Sequence, residues 1–373
     1  PTTMQLDVVQ PLYTGGQVAN ATEAALTRMS AQEALVVATE QQVLLNAVLA
    51  YMDVQRDETL VDISENSVRV IAEQLRAAEE RFDVGEVTRT DVAQAEARLA
   101  AARSLLAARI GALKASIEFF RRVVGVYPDD LQPPPPIPDL PDSREQAVSV
   151  AMVGDPELLA ARLDRLAAGS DVRQAIGALL PQVSLVGRVA RNDTLDLDRD
   201  GRTQATAGLQ ITVPFYDGGF SYSRIREAQA IVESEEADIT ATMRETAEQV
   251  GTAWADLQVA QASIEAGELE VRAAEIAFEG VREEAKVGAR TTLDVLDAEQ
   301  ELLNARGDLI VSRRDLVVAA YALLFSIGKL TVEHLGLDLG GVMPVADYYE
   351  GVKDRNFGYD ATDDTVWTLS YRP

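Results

Sequence analysis

Apolar side chains recur every seven residues along four long segments of the chain, a pattern that predicts coiled-coil helices. The segment from about 221 to 286 would form a helix of roughly 100 Å at 1.5 Å per residue. Its large apolar positions, each followed three places later by a small residue or valine, are Val250, Leu257, Ile264, Val271 and Phe278. Alternating large and small layers are typical of helices that approach each other closely.

The chain contains an internal repeat with a constant offset of 203 residues. No insertion or deletion interrupts the match, so we expect two equivalent helical hairpins, 18–127 and 220–329. The matched positions are 6–16 with 209–219, 50–53 with 253–256, 84–85 with 287–288, 91–92 with 294–295, and Gly125 with Gly328.

Each predicted hairpin closes in a short turn that contains glycine, Gly85 in the first copy and Gly288 in the second. Glycine suits the left-handed position that follows a helix. The next helix starts after Thr88 or Thr291, and an aspartate follows three residues later, which predicts an N-cap with a capping-box partner. These local roles explain the glycines and threonines but leave Arg290 of the second turn without an explanation.

Two segments between the hairpins, 182–189 and 204–213, alternate polar with apolar residues and predict strands. An acidic loop over 192–202 would join them. Strands of about ten residues with one apolar face match the wall of a transmembrane barrel, so we assign 1–13 and 181–216 to such a barrel. We expect lipid contact from Val183, Leu185, Val189, Leu209 and Ile211, and lumen contact from Gln182, Ser184, Arg188, Gln210 and Thr212. A strand of a soluble sheet would alternate too, but little else in the chain could cover this apolar face.

The remaining segments connect these elements. Residues 128–143 contain four consecutive prolines and cannot form a helix interior. Residues 144–178 are predicted to be helical, opening with Ser143 as a candidate cap, and are assigned as the upper tunnel helix. Residues 330–373 have no clear period and join 128–143 as the equatorial or connecting region.

The composition excludes several classes of function. With a net charge of −26 and a pI near 4.4, the chain has no means of neutralising a nucleic-acid backbone. The charge fits either a solvated surface or an acidic pore lining that favours cations. The absence of cysteine excludes disulfides, thiol nucleophiles and zinc-thiolate sites, and the single histidine, His334, is assigned no chemistry. No run approaches the roughly 18 consecutive apolar residues of a spanning helix, so any membrane crossing would use strands.

No enzyme or cofactor site is expected. The carboxylates lie on helical heptads, and no nucleophile, base and orienting group converge in the sequence. Asp196, Asp198, Asp200 and Gly201 resemble the start of a calcium loop, but Ala207 occupies the twelfth position, where a glutamate is required. An acidic surface loop is the better interpretation, and no metal site is predicted.

The strand pair, the Tyr-x-Gly-Gly exit and the long hairpin tipped by Val-Gly-x-x-Thr-x-x-Asp-Val, all present twice, resemble the TolC outer-membrane channel family. The most specific motif spans 287–298, and the resemblance covers nearly the whole chain. It implies a mainly α fold with transmembrane β, in which a trimeric β-barrel of twelve strands continues into a long α-helical coiled-coil barrel. It also implies a location in the outer membrane of a Gram-negative bacterium, extending into the periplasm. The offset places the first strand of repeat one before residue 1, so we expect three of four strands.

The same resemblance implies roles for residues at the hairpin tips. The second hairpin would form the inner coil, with Asp294 and Asp297 narrowing the closed entrance. Arg290 would tie it to the outer coil through Thr90 and Asp91. A tyrosine that strengthens this link in the family's best-known member is replaced here by Ala285. The tips that would contact a periplasmic adaptor are Val84, Gly85, Thr88, Val287, Gly288 and Thr291.

The resemblance implies a passive exit duct in a tripartite export system. Its partners would be two further copies of the chain, a periplasmic adaptor (membrane fusion protein), outer-membrane lipid, and an inner-membrane ABC transporter or proton-driven efflux pump. Type I protein secretion is favoured slightly over multidrug efflux, although nothing in the chain decides between them. A soluble periplasmic coiled-coil adaptor or scaffold would explain the hairpins, but neither the strands nor the duplication.

Overall fold

The computed structural model describes residues 2–134, 136–193 and 202–337. The chain divides into a unit of residues 1–331 and a second unit of 332–373, which is described only over 332–337, mostly as turn. The acidic loop at Asp196–Gly201 and most of the segment 330–373 therefore lie outside the described residues. The elements in chain order are β1 Thr2–Tyr13, α1 Gln17–Asp83, α2 Arg89–Val124, α3 Arg144–Gly154, α4 Pro156–Gly177, β2 Gln182–Asp193, β3 Arg202–Thr212, α5 Phe220–Lys286 and α6 Thr292–Ser326.

The four long helices that the heptads predict are present and pair as two hairpins, α1 with α2 and α5 with α6. Both α1 and α5 have 67 residues, about 100 Å at the helical rise. The predicted seam is buried: Phe278 of α5 packs with Val295 and Leu302 of α6, and Val54 of α1 packs with Phe120 of α2. The burial of these heptad positions explains why the helices hold together in pairs.

Strands and long helices meet at glycine pairs in both repeats. Gly15 and Gly16 have φ of 65° and 81°, and Gly218 and Gly219 have φ of 71° and 89°, which L side chains rarely adopt. At the first joint a Cβ on Gly15 would also lie 2.3 Å from the backbone oxygen of Gly177 at the end of α4. The Tyr-x-Gly-Gly exit is thus required by backbone conformation in both copies and by close packing in the first.

The three described strands form one antiparallel sheet in the order β1-β2-β3. Leu185 pairs with Leu209 and Val189 pairs with Leu6, so these apolar side chains share one face. That face is exposed in the protomer. The opposite face carries the ion pair between Arg188 and Asp7, 2.6 Å apart. The period-two division predicted for β2 and β3 is present, and contact with lipid remains a prediction.

The segment 144–178 is helical as predicted, but it is not one continuous helix. The segment forms two helices, α3 and α4, separated at Asp155. Pro156 has no N–H to continue α3, and its fixed φ suits the first position of a new helix. Asp155 caps α4 by accepting a hydrogen bond from the backbone N–H of Glu157 at 2.8 Å. Ser143 caps α3 as predicted, accepting from the N–H of Gln146 at 3.2 Å.

The first and second hairpins contact each other through α1 and α6. Arg314 of α6 forms an ion pair with Asp53 of α1 at 2.9 Å, and both side chains are about one-fifth exposed. Among the described helices, only α1 contains an 18-residue stretch apolar enough by composition to cross a membrane, with mean hydropathy 1.3. Only 17% of that stretch is buried in the protomer. Because α1 packs along α2, α4 and α6, we interpret the stretch as a packing surface.

Candidate functional site

The two hairpin turns lie side by side and enclose a cleft of about 550 Å³. The first turn lines it with Thr88 and Asp91, and the second lines it with Ala285, Arg290 and Thr291. The structure therefore brings together most of the residues predicted at the tips, from positions about 200 residues apart in the chain.

Glycine allows both turns to reverse direction. Gly85 has φ of 80° and Gly288 has φ of 76°, the left-handed conformation predicted for both. Beside them, Val84 and Val287 project their side chains outward; Val287 is 81% exposed. Two exposed valines at equivalent positions give the tips a small apolar surface.

Both turns lead into a complete capping box, as predicted. In the first, the N–H of Thr88 donates to the Asp91 carboxylate at 2.8 Å, and the N–H of Asp91 donates to the Thr88 hydroxyl at 3.4 Å. In the second, the equivalent distances for Thr291 and Asp294 are 2.9 and 3.2 Å. The backbone and side-chain hydrogen bonds from Thr291 hold the pKa of Asp294 below its usual value. Asp294 therefore remains ionised and helps to begin α6.

Asp297 forms an ion pair that the sequence did not reveal. Arg98 of α2 donates to its carboxylate, so the contact joins the first hairpin to the second. Both side chains are about half exposed, and salt therefore screens the pair. Asp297 is thus a partly neutralised carboxylate at the junction of the two hairpins.

Arg290 does not form the expected contact with Thr90 and Asp91. Its guanidinium donates to Glu284 of α5 at 2.9 Å, within the second hairpin. Asp91 already accepts hydrogen bonds from Thr88, and Thr90 is exposed at the start of α2. In this structure the ionic link between the hairpins near the tips is therefore made by Arg98 and Asp297.

A buried carboxyl lies about two turns up α6 from the tip. Glu299 is 7% exposed and faces Ser67 of α1 across a cavity of about 70 Å³. Burial raises its pKa to about 7, and the Ser67 hydroxyl opposes that shift. Sequence reasoning missed this residue, although it follows Leu296 by three positions and thus shares an apolar helix face.

No metal centre is indicated at the tips. Within the described ranges, no group of three or more histidine, cysteine, aspartate or glutamate side chains is arranged to hold a metal ion. The chemistry of the tips is therefore that of hydrogen bonds and ion pairs between helices.

A family model described as "Outer membrane efflux protein" matches residues 2–126 and 147–329, most of the chain. The chain belongs to the outer membrane efflux protein family. The resemblance to TolC-type channels inferred from the tip motif is confirmed. Members of this family are channel proteins and not enzymes, and they reside in the outer membrane of Gram-negative bacteria and extend into the periplasm.

Curated relatives of the outer membrane efflux protein family support the assignment. The outer membrane efflux protein BepC of Brucella suis is 37% identical over 97% of this chain and 79% of its own length. The outer membrane protein TolC of Escherichia coli is 27% identical over 71% of the chain and 57% of its length. The alkaline protease secretion protein AprF of Pseudomonas aeruginosa is 26% identical over 70% of the chain and 56% of its length.

A solved structure shows the same fold. The crystal structure of CusC, a protein that forms a transmembrane channel, superposes with a TM-score of 0.77 at 20% identity. The superposition covers 87% of this chain and 77% of CusC. The combination of barrel strands and long helical hairpins in a tandem repeat is thus the fold of an outer-membrane channel.

Proposed function

We propose that the chain assembles as a homotrimer and forms the passive outer-membrane exit duct of a tripartite export system. A periplasmic adaptor and an inner-membrane transporter or pump complete the system. The observation that carries the proposal is the exposed apolar face of a three-stranded sheet, continuous with two 67-residue helices, in a family of outer-membrane channels.

The sheet supports assembly from several copies. A closed membrane barrel needs about eight or more strands, and the three described strands leave β1 and β3 at open edges within the protomer. The long helices support it too, because they leave large apolar side chains uncovered. These are Leu35, Val36 and Val43 on α1, and Val259, Leu269 and Ile276 on α5.

Each part of the chain then has a role. The barrel strands come from residues 1–13 and 181–216. The periplasmic tunnel is formed by the hairpins 18–127 and 220–329, and 220–329 forms the inner coil. Residues 144–178 form its upper helical part as α3 and α4 together. The segment 128–143 belongs to the equatorial region.

The second hairpin carries the entrance in this proposal. Three copies of Asp294 and Asp297 place six carboxylates in one constriction, which attracts cations and repels anions. Arg98 restrains Asp297 from the first hairpin, and Arg290 stiffens its own turn through Glu284. The exposed tip residues that include Val84 and Val287 contact the adaptor.

Conductance in a planar bilayer tests the entrance. Replacing both Asp294 and Asp297 by alanine should weaken cation selectivity and block by multivalent cations, because the constriction loses its charge. Asp91→Ala is the matched control, since it removes the equivalent capping carboxylate from the first hairpin only. If the double variant and the control have the same selectivity, these aspartates only cap helices and the entrance lies elsewhere.

The relatives bear on the choice between the two export routes. BepC, named as an efflux protein, is 37% identical over nearly the whole chain, whereas the secretion protein AprF is 26% identical over 70% of it. This difference favours multidrug efflux, and type I protein secretion, which the sequence alone favoured slightly, is the second candidate. Expression in a strain that lacks its own exit duct separates them. Restored drug resistance supports efflux, and restored export of a type I protease without resistance supports secretion.

A further inference from the structure

Helix α6 presents two faces to two different neighbours. Val295 packs with Phe278 of α5, inside the second hairpin. Leu296 packs with Ile71 of α1, in the first hairpin. Glu299 follows Leu296 by three residues, so it points toward the first hairpin as well. A carboxylic acid thus occupies a position in the interface that otherwise takes apolar residues.

The two polar side chains that face each other across this interface are buried without full hydrogen bonding. Glu299 is 7% exposed and Ser67, which faces it from α1, is 5% exposed. Glu299 Oε2 and Ser67 Oγ are both buried and neither forms a hydrogen bond of standard geometry, although the hydroxyl is close enough to lower the pKa of the carboxyl. Buried polar groups nearly always have partners, so two facing exceptions beside a cavity of about 70 Å³ call for an explanation.

The charged groups around the buried carboxyl are engaged elsewhere. Arg306 of α6 lines the same cavity but donates to Glu275 of α5 at 2.7 Å. Arg282 of α5 does not line the cavity; its Nη2 forms ion pairs with two glutamates of its own helix, and its Nε is buried without a partner. From α1 the cavity receives the neutral Asn66, whose side-chain oxygen accepts a hydrogen bond from Arg69. No cation on these three helices forms an ion pair with the carboxyl among the described residues.

Two ion pairs also join the hairpins. Arg314 pairs with Asp53 further up the interface, and Arg98 pairs with Asp297 nearer the tip. Glu299 lies between these pairs in sequence along α6. The buried carboxyl therefore occupies the part of the interface between two ionic links.

We propose that Glu299 is a proton-controlled spacer that sets how tightly the second hairpin packs on the first near the channel entrance. In the neutral form the carboxyl is accommodated beside Ser67, and α6 packs against α1. Loss of the proton leaves a carboxylate in an apolar interface with no paired cation, which favours separation of the two helices. The inference rests on the proposed function for its effect on conductance, but not for the change in packing.

The direction of the pH effect follows from the burial. The pKa of Glu299 is about 7 in the packed state, above its ordinary value of 4.5. The packed state therefore binds the proton more tightly than a separated or unfolded state. Packing is fully favoured below pH 4.5, weakens as the pH rises toward 7, and stays weakened above it.

Distance measurement between spin labels tests the packing directly, and the cysteine-free chain makes the labels specific. Labels at Glu65→Cys and Glu301→Cys, both exposed sites on α1 and α6, report the separation in the assembled protein in nanodiscs. The distance should lengthen as the pH rises from 4.5 to 7 and change little above 7, because the packing free energy changes only between the two pKa values. Adding Glu299→Gln, which keeps the shape but cannot ionise, should abolish this change and hold the short distance.

Two controls complete the experiment. Glu96→Gln changes the glutamate at the equivalent position of the first repeat, which is exposed, and should leave the pH dependence intact. His334→Gln removes the one histidine and should also leave it intact. The proposal is overturned if the distance between the labels does not depend on pH. It is also overturned if the pH dependence remains in Glu299→Gln or is lost in His334→Gln.

Bilayer conductance then separates this proposal from the proposed function. A pore whose conductance rises between pH 4.5 and 7 in the wild type, but not in Glu299→Gln, supports both. A pore with no such difference between the two overturns the spacer alone. If no pore forms while the label distance still changes with pH, the duct function fails and the spacer stands.

Discussion

The two hairpins follow one local plan but have different surroundings. Their first helices are both 67 residues long, both turns contain a left-handed glycine, and both second helices begin with a threonine–aspartate capping box. Yet α2 buries four of its 36 residues in the protomer, whereas α6 buries 13 of its 35. The reason is that α6 packs on the first hairpin as well as on α5. The two copies therefore share the local signals that start and stop helices. The helices packed around each copy determine how many of its residues are buried.

Near the tip, the two copies differ in residue type or in burial. At three positions near the tip, the second copy has residues that form or face contacts between helices, and the first copy has residues that do not. The pairs are Arg290 with Val87, Asp297 with Gln94, and the buried Glu299 with the exposed Glu96. The comparison predicts that equivalent substitutions in the two copies have unequal effects.

The largest difference is expected at the glycines that end the hairpins. Gly328 has φ of 73°, and a Cβ there would lie 2.1 Å from the backbone oxygen of Gly154. Gly125, its equivalent, has φ of 91° but nothing within 4 Å. Gly328→Ala should lower the free energy of unfolding by about 2–5 kcal/mol, from backbone strain and overpacking together. Gly125→Ala should cost only the strain, about 1–2 kcal/mol.

Denaturant unfolding of the purified protein, followed by circular dichroism, measures both glycine variants. Equal losses would mean that the end of α6 can move away from Gly154. The two repeats would then be equivalent at this point, contrary to the structure.

An intermediate effect is expected from the ion pair between the hairpins. Arg98→Ala frees Asp297 and removes the link near the tip, so the conductance in planar bilayers should rise and the ion-pair contribution should disappear at high salt. The loss in stability should be small, about 0–1 kcal/mol, because the pair is half exposed. Arg103→Ala, an exposed arginine further along α2, is the control and should leave the conductance unchanged. Equal conductances for the two variants would show that the pair does not restrain the entrance.

The smallest effect is expected from Arg290→Ala. Its guanidinium contacts Glu284 within one turn, and both side chains are half exposed, so stability should change by no more than about 1 kcal/mol. Conductance should rise, but less than for Arg98→Ala, because no contact between the hairpins is lost. If Arg290→Ala opens the channel more than Arg98→Ala, the contact with Thr90 and Asp91 predicted from sequence operates in the closed channel.

Local signals made much of the fold predictable from the sequence. A heptad, a glycine after a helix and a threonine with an aspartate three residues later each act within one or two turns of chain. Gly288, Thr291 and Asp294 therefore adopt the predicted conformations and hydrogen bonds. The break between α3 and α4 was missed, although Asp155 followed by Pro156 is a strong start signal for a helix.

Contacts between distant segments were less accessible. Arg98 and Asp297 are 199 residues apart, and no rule of spacing relates them. Their pairing depends on which face of α6 meets α2, which only the packing of all four helices decides. Glu299 did have a signal, because Leu296, Leu303 and Ile310 form a second apolar stripe along α6 that points to a second neighbour.

The equal lengths of α1 and α5 restrict how such a protein can change in size. One added residue would rotate everything beyond it by about 100° and shift it by about 1.5 Å, which moves the seam out of contact. Tolerated changes therefore come in whole heptads of about 10 Å, made in all four long helices together. The length of the hairpins can therefore change only in steps of one heptad, by insertions made in all four long helices.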